Sequence, residues 1–89
     1  MTFVEWLEED IEAVQEAATA EGLRAVLSVD QCSADPSECW VTVMANSRHA
    51  CEVKTNNKGE VLRHKGVAYL RGKSMIARLW AQYQEGDHA

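Results

Sequence analysis

Ala50-Cys51-Glu52-Val53-Lys54-Thr55-Asn56-Asn57-Lys58-Gly59-Glu60 is the stretch that decides the fold. Cys51 and Val53 alternate with Glu52 and Lys54, the period-two pattern of a half-buried strand. Asn56, Asn57 and Gly59 tolerate positive φ, so the four residues 56–59 are expected to close a hairpin. Such a turn can join only antiparallel neighbours, because a parallel pair needs a crossover of a dozen residues or more. The returning arm is expected from Glu60 to about Leu70, with a bulge at Gly66.

Toward the N-terminus, Asn46-Ser47-Arg48 reads as a tight reversal into a strand from Cys39 to Ala45, where Val41 and Val43 alternate with Trp40, Thr42 and Met44. The polar segment Gln31 to Glu38 holds the only proline and reads as a loop. Before it, Leu23 to Asp30 alternates as a first strand, with Leu23, Ala25, Leu27 and Val29 on one face and Arg24, Ser28 and Asp30 on the other. Residues 2–21 read as one helix, since Val4, Leu7, Ile11, Val14 and Ala18 recur at spacings of three and four. Thr2 and Glu5 form a capping box at its start, and Gly22 supplies its stop. A last helix is expected from a Ser74 cap, with Ile76, Leu79, Trp80 and Tyr83 on its apolar side. Gly86-Asp87-His88-Ala89 reads as a frayed tail. The fold class is therefore α+β: one two-layer domain over residues 1–85, an N-terminal helix, a four-stranded antiparallel meander and a C-terminal helix, both helices on one face.

The 89 residues suffice for one core and exclude multi-lobed enzymes; 46% hydrophobic and 26% charged residues place the chain among globular domains. Met1-Thr2-Phe3-Val4-Glu5 lacks the basic and apolar regions of a leader, and no apolar run is long enough to span a membrane, so a cytoplasmic location is expected. Three cysteines at irregular spacing predict reduced thiols, although the residues between Cys32 and Cys39 would permit a bridge.

Catalytic patterns fail on spacing. Gly66 to Ser74 approaches a phosphate-binding loop, but five residues separate Gly66 from Gly72 where the motif needs four. Cys32, Cys39, Cys51, His49, His64 and His88 include no close cysteine pair of the kind that holds zinc. Cys51 with His49 is the one local nucleophile and base combination, and apolar alternation already explains that cysteine. The sequence predicts no enzyme, no cofactor and no metal.

Charge says more. The chain carries −5, but residues 1–45 hold ten acidic side chains and one basic, whereas residues 46–89 hold four acidic and eight basic. At spacings of i, i+3, i+4, i+7 and i+11, Glu5, Glu8, Glu9, Glu12 and Glu16 are expected to form a continuous stripe opposite the apolar seam, in which like charges four apart oppose helix formation. That stripe, with Trp6 and Phe3 at its border, is the expected protein-binding surface. The contrasting basic set is Arg63, Lys65, Arg71, Lys73 and Arg78, with His64 among them.

The order helix, strands, helix, with Gly72-Lys73-Ser74 opening the last helix, resembles the double-stranded RNA-binding domain. That resemblance implies phosphate contacts by Lys73 and Arg71. The chain departs from the family in lacking its run of lysines, in placing Met75 and Ile76 next and in having an extra strand.

The expected function is binding without catalysis. In size and charge the chain resembles small immunity proteins and phage-encoded inhibitors of bacterial defence, and it is expected to dock its acidic helix on a basic surface of another protein, such as one that binds nucleic acid. The alternative is a nucleic-acid-binding module using the basic half. Self-association of acidic with basic halves is a third class, and no membrane partner is expected.

Overall fold

The computed structural model describes residues 1–45 and 48–86. Its elements are α1 (Phe3–Glu9), α2 (Ile11–Ala20), β1 (Ala25–Gln31), β2 (Glu38–Ala45), β3 (Arg48–Asn56), β4 (Val61–Lys65) and α3 (Tyr69–Glu85). The strands form one antiparallel meander in the order β1-β2-β3-β4, and the helices pack on one of its faces, giving a single α+β domain. The hairpin turn at 56–59 joins β3 to β4 as expected, with Gly59 at φ 72°.

Alternation in the two central strands builds the floor of the core. Cys39, Val41 and Val43 of β2 lie beside Thr55, Val53 and Cys51 of β3, and all six are fully buried. Phe3, Val4 and Leu7 of α1, Val14 and Ala18 of α2, and Met75, Ile76 and Leu79 of α3 close over them. The hairpin also anchors α1: the Asn57 side-chain oxygen accepts from the Val4 amide at 3.0 Å, satisfying one of the donors a helix start leaves unpaired.

Four expectations need correction. The N-terminal helix is two helices, broken at Asp10 (φ −104°, ψ 70°), because the Asp10 carboxylate accepts from the Ala13 amide at 3.1 Å and starts a new helix there. Ile11 consequently leaves the apolar seam and is 43% exposed. In β1 a bulge between Val26 and Ser28 turns Val26 into the core and leaves Leu27 exposed, so Leu23, Ala25, Leu27 and Val29 do not share a face.

The fourth strand ends at Lys65, well short of Leu70. Gly66 does not bulge it but terminates it at φ 95°, where a Cβ would lie 2.3 Å from the Ala50 carbonyl oxygen. The last helix begins at Tyr69, so Gly72-Lys73-Ser74 lies inside α3 and Ser74 is not its cap. Gly72 is there for packing: a Cβ would stand 2.9 Å from Cys51 Sγ and 3.0 Å from Val53, so its absence lets α3 settle on β3. The reversal expected at residues 46–47 and the tail at 87–89 lie outside the described residues. Among those described, no helix is long and apolar enough to cross a membrane.

Candidate functional site

The carboxylates of α1 and α2 do not all have the same work. Glu5 is committed to the helix start: its carboxylate accepts from the Thr2 amide and hydroxyl at 2.9 Å each, and its own amide donates to Thr2 Oγ1 at 3.2 Å. The Thr2 amide first, and its hydroxyl second, hold the Glu5 carboxyl below its ordinary value. Asp10 is committed to the start of α2. Glu8, Glu9, Glu12 and Glu16 are exposed, and among the described residues no Lys or Arg pairs with any of them. Because the helix breaks at Asp10, they do not form one straight stripe; Glu8 and Glu9 project from α1, Glu12 and Glu16 from α2.

Trp6 is not at the border of this surface. It is 5% exposed and packs between Phe3 and Tyr83, with ring centroids 6.1 and 5.6 Å away. Phe3 is fully buried against Trp80 at 5.1 Å, edge to face. The aromatic cluster therefore joins α1 to α3 and leaves the acidic surface without an exposed aromatic anchor from this pair.

The basic set divides. Arg78 pairs with Glu21 at the end of α2, and the Arg71 guanidinium lies close enough to Gly22 that a Cβ there would be 3.1 Å from it. These two residues, seven apart on α3, lie on the side toward α2. Arg78 also lines a groove with Glu16, Ala17, Ala20, Ala81, Gln82 and Glu85. Lys73 falls elsewhere on α3, and Arg63 and Lys65 belong to β4. A single basic surface built from all five does not exist, and the helix-start lysine that the RNA-binding resemblance implies is not at a helix start.

One arrangement emerges only from the strand register. On the sheet face away from the helices, Trp40, Lys54 and Arg63 are consecutive cross-strand partners on β2, β3 and β4. Lys54 Nζ and Lys65 Nζ stand 5.8 and 5.4 Å from the Trp40 ring centroid, within cation-π range. Lys54 also pairs with Glu38 at 3.0 Å, and the hydrogen bond it donates to that carboxylate raises the Lys54 pKa. Alternation signals that these residues share the open face, but only the register puts them in one row.

The two buried thiols, Cys39 and Cys51, are unsuited to nucleophilic work at neutral pH. Burial first, then the charges of Glu8 and Asp30, pushes the Cys39 thiol up to about 12, and burial followed by Glu52 raises Cys51. Cys32, half-buried at the end of β1, is a free thiol, as are the other two. Compared with known proteins, the chain matches no family model, no curated protein and no solved structure.

Proposed function

We propose that the protein is a non-catalytic binding module that docks the outer surface of α1 and α2, through Glu8, Glu9, Glu12 and Glu16, on a basic surface of a partner protein. The observation that carries this reading is that four exposed carboxylates lack a cation partner among the described residues, while the opposite sides of the same helices are packed into the core. A surface so backed is rigid, and its unneutralised charge speeds encounter with Lys and Arg clusters at a rate that falls as salt rises. If the partner's clusters are those it uses for nucleic acid, docking blocks that use. Glu5 and Trp6 serve the fold and are left out of the contact set.

The test is the fourfold charge reversal Glu8→Lys, Glu9→Lys, Glu12→Lys and Glu16→Lys. Binding is lost while circular dichroism and the unfolding midpoint are retained; unchanged affinity contradicts the proposal. A second reading, nucleic-acid binding on the open sheet face, is favoured by the two lysines over Trp40 and by Arg63 beside Lys54. It predicts a low-salt gel shift with single strands that disappears in Trp40→Ala, whereas the first reading predicts no shift.

A further inference from the structure

The two edges of the sheet are treated differently. On β1, the Gln15 carboxamide reaches Val26 from α2: its oxygen accepts from the Val26 amide at 3.1 Å and its nitrogen donates to the Val26 carbonyl at 3.4 Å. A side chain thus occupies backbone groups that another strand would use. On β4, no described side chain does this. The strand pairs with β3 alone, in a register that skips Leu62 between Val61 and Arg63, so on either side of that irregularity the groups not used by β3 point away from the sheet.

Strand β4 is also thinly covered on its faces. Only Val61 is partly buried; Leu62, Arg63, His64 and Lys65 are exposed. The helical layer stops short of it, because Gly72 seats α3 over Cys51 and Val53 of β3. Tyr69, Lys73 and Trp80 fall on one side of α3 by their spacing. That side faces β4 and its turn, since Tyr69 stacks on His64 at 4.3 Å and Trp80 fills the space a Gly59 side chain would need. A shelf one strand wide lies beside the flank of α3. Leu62 at 44% exposure belongs to it, and Leu70 and Val67, 64% and 98% exposed, follow at the β4–α3 junction.

The charge of the shelf selects its occupant. Arg63 and Lys65 of β4 and Lys73 of α3 are the basic groups at the shelf, and from Val61 to Gln84 the chain holds no Asp or Glu. One carboxylate, Glu52, sits across the ladder from Lys65. A second copy pairing β4 with β4 would bring Arg63, His64 and Lys65 against themselves, and β1 of that copy is closed by Gln15. A strand bearing carboxylates meets neither obstacle.

We propose that the free edge of β4 docks an extended acidic segment of another protein, which adds to the sheet as a fifth strand. Main-chain hydrogen bonds to the outward groups of β4 hold it. Its alternate side chains meet Arg63 and Lys65 on the open face, and His64, Tyr69 and Lys73 on the helix side. This surface is separate from the acidic one on α1 and α2, so either proposal can fail without the other.

The experiment uses the intact protein, labelled for amide NMR, and a blocked peptide of about eight residues alternating glutamate with threonine. Its lysine counterpart and a copy N-methylated at every second residue are the controls. The acidic peptide is expected to slow exchange of the β4 amides that point away from β3 by about tenfold or more. It is also expected to shift the signals of Tyr69 and Lys73 and to weaken at least tenfold in the double variant Arg63→Glu, Lys65→Glu. N-methylation, which removes backbone donors without changing charge, is expected to abolish binding and needs no protein variant. Absence of binding, equal binding of the lysine or methylated peptide, protection outside β4, or a dimer paired through β4 in sedimentation each overturns the proposal.

Discussion

The acidic helices and strand β4 carry opposite charges, yet they differ more in what lies behind them. Behind Glu8, Glu9, Glu12 and Glu16 stand Val4, Leu7, Val14 and Ala18, all fully buried. Behind Arg63 and Lys65 the cover is slight; β4 holds its place by its ladder to β3, by Val61 and by the stack of His64 on Tyr69. The first region is a charged surface on a rigid body. The second is an element whose own burial is small, and such elements open locally at lower free energy than the core does.

The largest effect that would sharpen this contrast comes from truncating a leucine on each side of it. Leu7→Ala empties a fully buried position beneath the acidic surface and is expected to cost about 2–5 kcal/mol, whereas Leu62→Ala on β4 should stay within about 0.5 kcal/mol. Urea midpoints compare them directly; equal losses would mean that β4 is packed as the core is.

A smaller effect separates the two sheet edges. Gln15→Ala leaves the Val26 amide and carbonyl without their side-chain partner, at a cost of about 1–2 kcal/mol. Exchange of the Val26 amide should quicken, and sedimentation at high concentration should reveal association through β1. A variant that stays monomeric with Val26 still protected would show that Gln15 does not guard that edge.

The smallest effect reads the field of the acidic helices at Cys39. Its thiol pKa is raised from 9.0 to about 12 in the folded protein, so the folded state binds this proton more tightly than the unfolded state does. The resulting stability is fully present below about pH 9 and declines as pH rises toward 12. Glu8→Lys removes one of the charges that raise it and should shrink the alkaline decline, measured as unfolding midpoints between neutral and alkaline pH. Alkylation of the native protein should label Cys32 and spare Cys39 and Cys51 until unfolding.

Strands β2 and β3 and the turn at 56–59 were legible because alternation and positive-φ residues are local signals. The break at Asp10 was not, since Val4, Leu7, Ile11 and Val14 keep helical spacing across it and only the Asp10 cap decides otherwise. Trp6, one place off that seam, is buried because it packs between Phe3 and Tyr83, a contact with α3 that spacing within α1 does not show. The start of α3 at Tyr69 is masked in the chain because Gly72 reads as a boundary, whereas its missing side chain is what lets α3 contact β3. Of the candidate surfaces, the asymmetry of charge could be read from the chain. The separation of Arg71 and Arg78 from Arg63 and Lys65 could not, because it depends on which side of α3 faces α2. The Gln15 plug and the row from Trp40 to Arg63 depend likewise on register and on contacts between elements distant in sequence.

The most direct test of the acidic surface is affinity capture from the native host with two baits, the wild-type protein and the fourfold reversal at Glu8, Glu9, Glu12 and Glu16, followed by calorimetric titration of the purified protein that is recovered. The wild-type bait is expected to retain a partner with a basic surface, bound less tightly as salt rises, and the reversed bait to release it. Recovery of the same partner by both baits, with equal affinity in the titration, would contradict the proposal that these four carboxylates make the contact.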